Sequence, residues 1–280
     1  MTSGKLLRIT RVALAILFFA GVNFYLVSGL LSLGWVEHIQ IIPAIMAHGL
    51  TVVALWAVLT LFLGRVYCST VCPLGTVQDF FARLPRIFKR MDYHYSRPLN
   101  LLRYFFLVIT AVIFAGHLYF LLVPLDPYTA YVYAARPIIE FLFGDGRPLL
   151  AGTSLIGSTV GVAVVLGAGL TAAKNGRTVC NTVCPVGAAL SVVSRRPYMV
   201  IDINTDRCIH CRKCEEACKS HCIDMNSMTV DMSRCVVCFD CLPVCPNDAI
   251  HYTPNRHQLS IPMMQRISRP AATASMDEPC

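Results

Sequence analysis

The chain has 280 residues, 55% of them hydrophobic and 14% charged, with a mean hydropathy of +0.58, whereas ordinary soluble domains carry about 25% charged residues. That balance argues against a soluble globular protein and makes a membrane protein the default reading. The net charge of +8 calls for no nucleic-acid partner, because the basic residues fall beside expected membrane ends, where anionic headgroups accept them.

Four stretches are long enough to cross a bilayer, since about 20 apolar helical residues span the hydrocarbon core: 12–31, 39–63, 99–123 and 149–173. Residues 128–143 are also apolar, but Arg136, Pro137 and Glu140 interrupt them and Tyr128, Tyr131 and Tyr133 accompany them. An interfacial or re-entrant segment is expected there. Lys and Arg crowd the chain before the first span, between spans two and three and after the fourth, while the other two loops hold few. The positive-inside bias predicts a multi-pass protein of the bacterial cytoplasmic membrane with both termini in the cytoplasm.

His48 and His117 fall about 14 Å and about 9 Å inside the outer ends of spans two and three, at 1.5 Å per residue. Ionisable groups at that depth are candidate functional residues, and imidazole accepts a proton near neutral pH. They are the candidate catalytic residues for oxidation of a proton-carrying donor, with Glu37 and Asp126 as onward proton carriers. Two such histidines could instead hydrogen-bond neighbouring helices or ligate a haem.

An internal repeat follows each even-numbered span. Gly64-Arg65-Val66-Tyr67-Cys68-Ser69-Thr70-Val71-Cys72-Pro73-Leu74-Gly75 recurs as Gly176-Arg177-Thr178-Val179-Cys180-Asn181-Thr182-Val183-Cys184-Pro185-Val186-Gly187. Two parallel repeats related by an axis along the membrane normal would bring Cys68, Cys72, Cys180 and Cys184 to one surface. On a helix, residues four apart share a face, so each pair could present two thiolates to an additional metal or redox site. The alternative is that they pack a helix end as small hydrophobes.

The C-terminal part holds two runs of C-x2-C-x2-C-x3-C: Cys208, Cys211, Cys214, Cys218 and Cys235, Cys238, Cys241, Cys245. This is the ligand spacing for two [4Fe-4S] clusters, in which the fourth cysteine of each run serves the other cluster. Cys208, Cys211, Cys214 and Cys245 are therefore assigned to one cluster, and Cys235, Cys238, Cys241 and Cys218 to its neighbour. The second run ends in Cys245-Pro246, but the first ends in Cys218-Lys219 with a further Cys222, which stands as an alternative fourth ligand. Zinc also uses C-x2-C pairs, yet it would not require two such quartets in register. Short strands near 198–203 and 249–252 should flank these runs, in a domain held together by metal more than by apolar burial.

The expected organisation is an α-helical membrane protein: a four-helix transmembrane domain (1–197), a small α+β two-cluster ferredoxin domain (198–253) and a flexible tail (254–280). Four spans, two C-x3-C-P motifs and a two-cluster ferredoxin resemble the NapH-type membrane ferredoxins, a group related to NosR and the CcoG-like polyferredoxins, over residues 10–253. The resemblance implies a quinol dehydrogenase subunit passing electrons between the quinone pool and a reductase chain, with other redox subunits, ferredoxin-like or cytochrome, as partners. The same clusters could serve a metal-reducing assembly factor or a redox sensor. No flavin-binding domain fits ahead of residue 12, unlike NosR.

Overall fold

The computed structural model describes residues 3–28, 34–88, 93–143 and 155–254. Helix α1 (Ser3–Ser28) has no acidic residue in its first turn and is apolar along most of its 26 residues. Two short helices follow, α2 (Trp35–His38) and α3 (Ile41–Met46), and then α4 (Leu50–Leu63). The α3 end is a left-handed termination: His48 takes φ 55° and the Gly49 amide donates to Ala44 O at 2.7 Å, closing the last turn. Helix α7 (Asn100–Ala115) ends the same way, with His117 at φ 55° and Leu118 N bonded to Ile113 O at 3.1 Å.

These terminations revise two expected spans. The second breaks at His48-Gly49, leaving the 14 residues of α4, about 21 Å of helix, and the third stops at 16 residues, about 24 Å. Both histidines stand exposed at helix ends, not at depth within a span. Among the described residues two helices, α1 and α9 (Leu155–Asn175), are long and apolar enough to cross a bilayer.

Each repeat folds as a one-turn helix followed by a longer one: α5 (Tyr67–Thr70) with α6 (Pro73–Phe88), and α10 (Thr178–Thr182) with α11 (Pro185–Val193). The halves exchange their products. Helix α6 packs on α9 of the second half, and α11 packs on α4 of the first, while α1 lies against α5 and α6 as α7 lies against α10 and α11. The segment 127–143 is helix α8 (Pro127–Phe143), N-capped by Asp126, which accepts from Thr129 N at 2.8 Å. A Cβ on Gly161 would sit 2.8 Å from Ala130 O, so the absence of a side chain lets α9 approach α8.

In the C-terminal part, β1 (Met199–Ile203) pairs antiparallel with β4 (Ile250–Pro254), close to the expected stretches, around helix α12 (Lys213–Glu216) and the β2 (Ile223–Asp224) and β3 (Thr229–Val230) hairpin. This part is docked, not tethered. Tyr198 N donates to Leu61 O at 2.8 Å, Tyr252 Oη to Leu63 O at 2.8 Å, and Arg234 Nη1 reaches Ser96 O at 2.6 Å in the strap before α7. The expected flexible tail, 254–280, lies outside the described residues from 255 onward.

Candidate metal centres

Two cavities sort the C-terminal cysteines into two sets. Cys208, Cys211, Cys214 and Cys245 line one. Cys218, Cys222, Cys235, Cys238 and Cys241 line the other. The backbone explains how: His210 and Arg212, flanking Cys211, have φ of 58°, and Val237 and Phe239, flanking Cys238, have φ of 52° and 60°. Left-handed residues on both sides of the central cysteine turn the chain around a centre, a conformation β-branched Val237 adopts only when its surroundings dictate it. His221 and Asp248, three residues after Cys218 and Cys245, repeat the pattern.

Cys218 and Cys222 are both in the second cavity, with sulfurs 3.4 Å apart. The hydrogen bond from Cys222 pushes the Cys218 thiol down to about 6, and the same bond pushes Cys222 well above its ordinary value. Burial pushes Cys214 and Cys238 up to about 12. Bound metal reverses such shifts by holding the sulfur as thiolate. The first set is half-buried and the second buried, so one cavity faces outward and the other the helices.

Next to the inner cavity lies the four-cysteine site. Cys68, Cys72 and Cys184 share one buried core with Val236 and Cys238, and Cys180 is buried at their side, its thiol feeling Cys68 while Cys184 feels Cys180, Cys72 and Cys68. The single-helix geometry expected for each C-x3-C pair is not what forms. Pro73 and Pro185 open new helices, and a residue before proline avoids the helical region. Cys184 is extended (φ −68°, ψ 118°) and caps α11, accepting from Gly187 N at 3.4 Å. Cys68 and Cys180 sit on the preceding one-turn helices.

The repeated arginines cross over. Arg65 Nη2 donates to Cys180 O at 3.3 Å and lies 3.8 Å from Cys68 Sγ, while Arg177 Nη1 donates to Cys68 O. The closing glycines of the repeats permit this: a Cβ on Gly75 would sit 2.3 Å from Cys68 O, and one on Gly187 2.2 Å from Cys180 O. Arg65 and Arg177 are fully buried and Arg103 is 2% exposed. Among the described residues no carboxylate comes within ion-pair distance of Arg65 or Arg103, and Arg65 Nε and both Arg103 Nη atoms lack hydrogen-bond partners. A buried Arg65 guanidinium against Cys68 Sγ, with no carboxylate paired to it among the described residues, fits a negatively charged thiolate-bound centre, which would supply the missing counter-charge.

The unusual Lys219 has a partner on each side. Its Nζ is 2.8 Å from Asp79 Oδ1 and 2.7 Å from Asp240 Oδ2, with the side chain 1% exposed. Asp79 also pairs with Arg177 and Arg11, and Asp240 with Arg8 at 2.9 Å. Burial works against the Asp79 charge, but Arg177, Lys219 and Arg11 hold it well below the usual carboxylate range. Arg177 N also bonds to Lys219 O at 2.8 Å. The Lys219 side chain therefore locks the inner cysteine loop onto α6 through Asp79, while its backbone carbonyl holds the second repeat at Arg177.

The other sequence candidates are dispersed. Glu37 accepts from Tyr25 Oη at 2.9 Å in a cavity between α1, α2, α3 and α8, and neither His48 nor His117 lines that cavity. Gln40, which sequence reading passed over, is fully buried at the α2–α3 bend, accepts from Tyr67 Oη at 2.7 Å and donates to Val71 O at 3.4 Å. An uncharged amide flanked by apolar residues gave no pattern to find it by.

A family model described as "4Fe-4S binding domain" matches residues 45–91 and 158–200, the two stretches containing the C-x3-C-P motifs. The chain is 27% identical over 202 residues to an uncharacterized protein of Methanocaldococcus jannaschii, covering 70% of this chain and 75% of that one. It is 26% identical over 228 residues to the putative electron transport protein YccM of Escherichia coli, covering 79% of this chain and 59% of YccM. Over 83 residues it is 31% identical to the thiosulfate reductase electron transfer subunit PhsB of Salmonella typhi, 26% of this chain and 41% of PhsB. No solved structure matches. The chain carries a 4Fe-4S binding domain and is similar to a putative electron transport protein and to an electron transfer subunit.

Proposed function

We propose that the protein is a membrane-embedded subunit that oxidises quinol and passes electrons through three iron-sulfur centres: the four-cysteine site, the inner ferredoxin site and the outer ferredoxin site. The observation that carries this reading is the buried core shared by Cys68, Cys72 and Cys184 with Val236 and Cys238. It makes the wall of one candidate centre the wall of the next.

Bound in these cavities, [4Fe-4S] clusters supply one-electron carriers whose potentials depend on nearby charge and hydrogen bonds. The residues of the chain set those conditions. Arg65 and Arg177 place positive charge at the four-cysteine site. Gly187 N and Ala249 N donate to the sulfurs of Cys184 and Cys245 at 3.4 and 3.2 Å. The half-buried outer cysteines leave one centre accessible to a redox partner. Quinol releases two electrons and two protons, so the electrons leave one after the other and an acceptor protein is required. On this reading that acceptor and the ferredoxin part share the cytoplasmic side, the side that the basic loops favour.

The test is anaerobic mixing of the purified protein with a menaquinol analogue, followed by paramagnetic resonance. Reduced-cluster signals are expected. No signal with quinol, where dithionite produces one, would overturn quinol oxidation.

A further inference from the structure

We propose that the cavity between α1, the α2–α3 bend and α8 binds the quinol ring, with the Tyr25–Glu37 pair holding a ring hydroxyl; this rests on the quinol-oxidising reading above and adds the site. The cavity holds about 450 Å3 and opens to the surface. Its chemistry suits a flat, apolar molecule with a hydroxyl at its edge. Tyr25, Tyr128 and Tyr133 supply aromatic walls, Leu26 and Met46 apolar ones, and Glu37 a carboxylate bonded to Tyr25 Oη at 2.9 Å. Small-molecule sites are commonly of this kind, apolar with a few placed polar groups.

The position also suits it. Helix α1 runs from the ferredoxin part, where Arg8 pairs with Asp240, past Phe18 at the four-cysteine core, to Tyr25 and Leu26 at the cavity. From Phe18 to Tyr25 is about 10 Å along the axis, so the cavity lies beyond the cysteines on the side away from the ferredoxin. Met46 in its lining is 46% exposed, and Trp35, two residues before Glu37, is 52% exposed, an apolar approach suited to a ligand arriving from lipid. Glu37 and Pro43 line the cavity, and Gln40 between them bonds to Tyr67 and Val71, the neighbours of Cys68 and Cys72. One bend of chain thus separates the cavity from the candidate acceptor.

Photoaffinity labelling tests the assignment with an azidoquinone on the full-length, cluster-loaded protein in lipid nanodiscs. Label should map to residues 25–46 or 128–133, be displaced by a menaquinol analogue, and fall at least tenfold in Met46→Trp and in Val132→Phe, which fill the space from opposite walls, with iron content unchanged. Glu37→Gln should weaken binding about tenfold, through loss of a charge-assisted hydrogen bond. Label elsewhere, or undiminished in both filled variants that retain iron, overturns the site. If quinol still reduces the clusters in that case, the oxidation reading stands and only the site is wrong. If quinol fails to reduce clusters that dithionite can, the reading fails independently of where the label maps.

Discussion

At the scale of single residues, the closing glycine of each repeat and the lysine after Cys218 carry more of the architecture than their types suggest. Because a Cβ on Gly187 would lie 2.2 Å from the Cys180 carbonyl, and a backbone oxygen cannot swing aside, Gly187→Ala should destabilise the protein by about 3 kcal/mol or more. Thermal unfolding and iron content of the purified variant would register it, and Gly167→Ala, where nothing lies within 4 Å, is the matched control. Asp79 is the anion shared by Arg11, Arg177 and Lys219. Asp79→Asn would leave three buried cations without it, a loss of about 3–5 kcal/mol. The sign with pH follows: a carboxyl held below its unfolded value contributes stability that is fully present above about pH 4 and is lost as pH falls through its folded value. Acid should therefore loosen the docking of the ferredoxin part in the wild type and change it less in Asp79→Asn, as read by unfolding midpoints from about pH 5 down to about pH 2. The cysteine spacing was legible because coordination chemistry dictates both type and interval. The crossed arginines were not, since a repeated Gly-Arg says that two sites are alike without saying that each serves the other. Lys219 had left a sign in the missing proline, whose meaning needed Asp79 and Asp240 brought from distant parts of the chain.

Among the elements, hydropathy located the apolar helices but overran their ends. His48 and His117 are helix terminations in the left-handed region, each beside a glycine, readable in principle from helix-end chemistry but masked by apolar residues on both sides. The consequence is testable, because glycine adopts φ near 55° without the penalty histidine carries. His48→Gly should stabilise the α3 end by about 1 kcal/mol and leave quinol oxidation unchanged. A loss of about 10²-fold, the low end for a general base, would restore His48 to a proton-accepting role. Proline chemistry was half legible in the same way. Proline limits the helix before it, yet its larger effect is to start the next, which places Cys72 and Cys184 at the mouths of α6 and α11 instead of on the helices that carry Cys68 and Cys180.

Over the whole molecule, the cysteine sites run from buried to half-buried, from the four-cysteine site through the inner cavity to the outer one. The repeat had predicted that the four cysteines of the helical part would meet. Nothing in the sequence had predicted that the inner ferredoxin loop would enter the same core, because that contact depends on Gly64, Gly176 and Lys219 fitting against residues far along the chain. The ferredoxin part also has short strands and little regular structure of its own, so metal removal should unfold it. Chelation under reducing conditions is expected to abolish its strand signal in circular dichroism while the helical signal persists. The most direct measurement is the iron and acid-labile sulfide content of protein isolated without oxygen, beside the double variant Cys68→Ser, Cys180→Ser. Three [4Fe-4S] sites predict about twelve irons per chain, falling to about eight in the variant. Colourless protein carrying zinc or no metal would contradict the account at its root, and about eight irons in both would remove the four-cysteine centre from it.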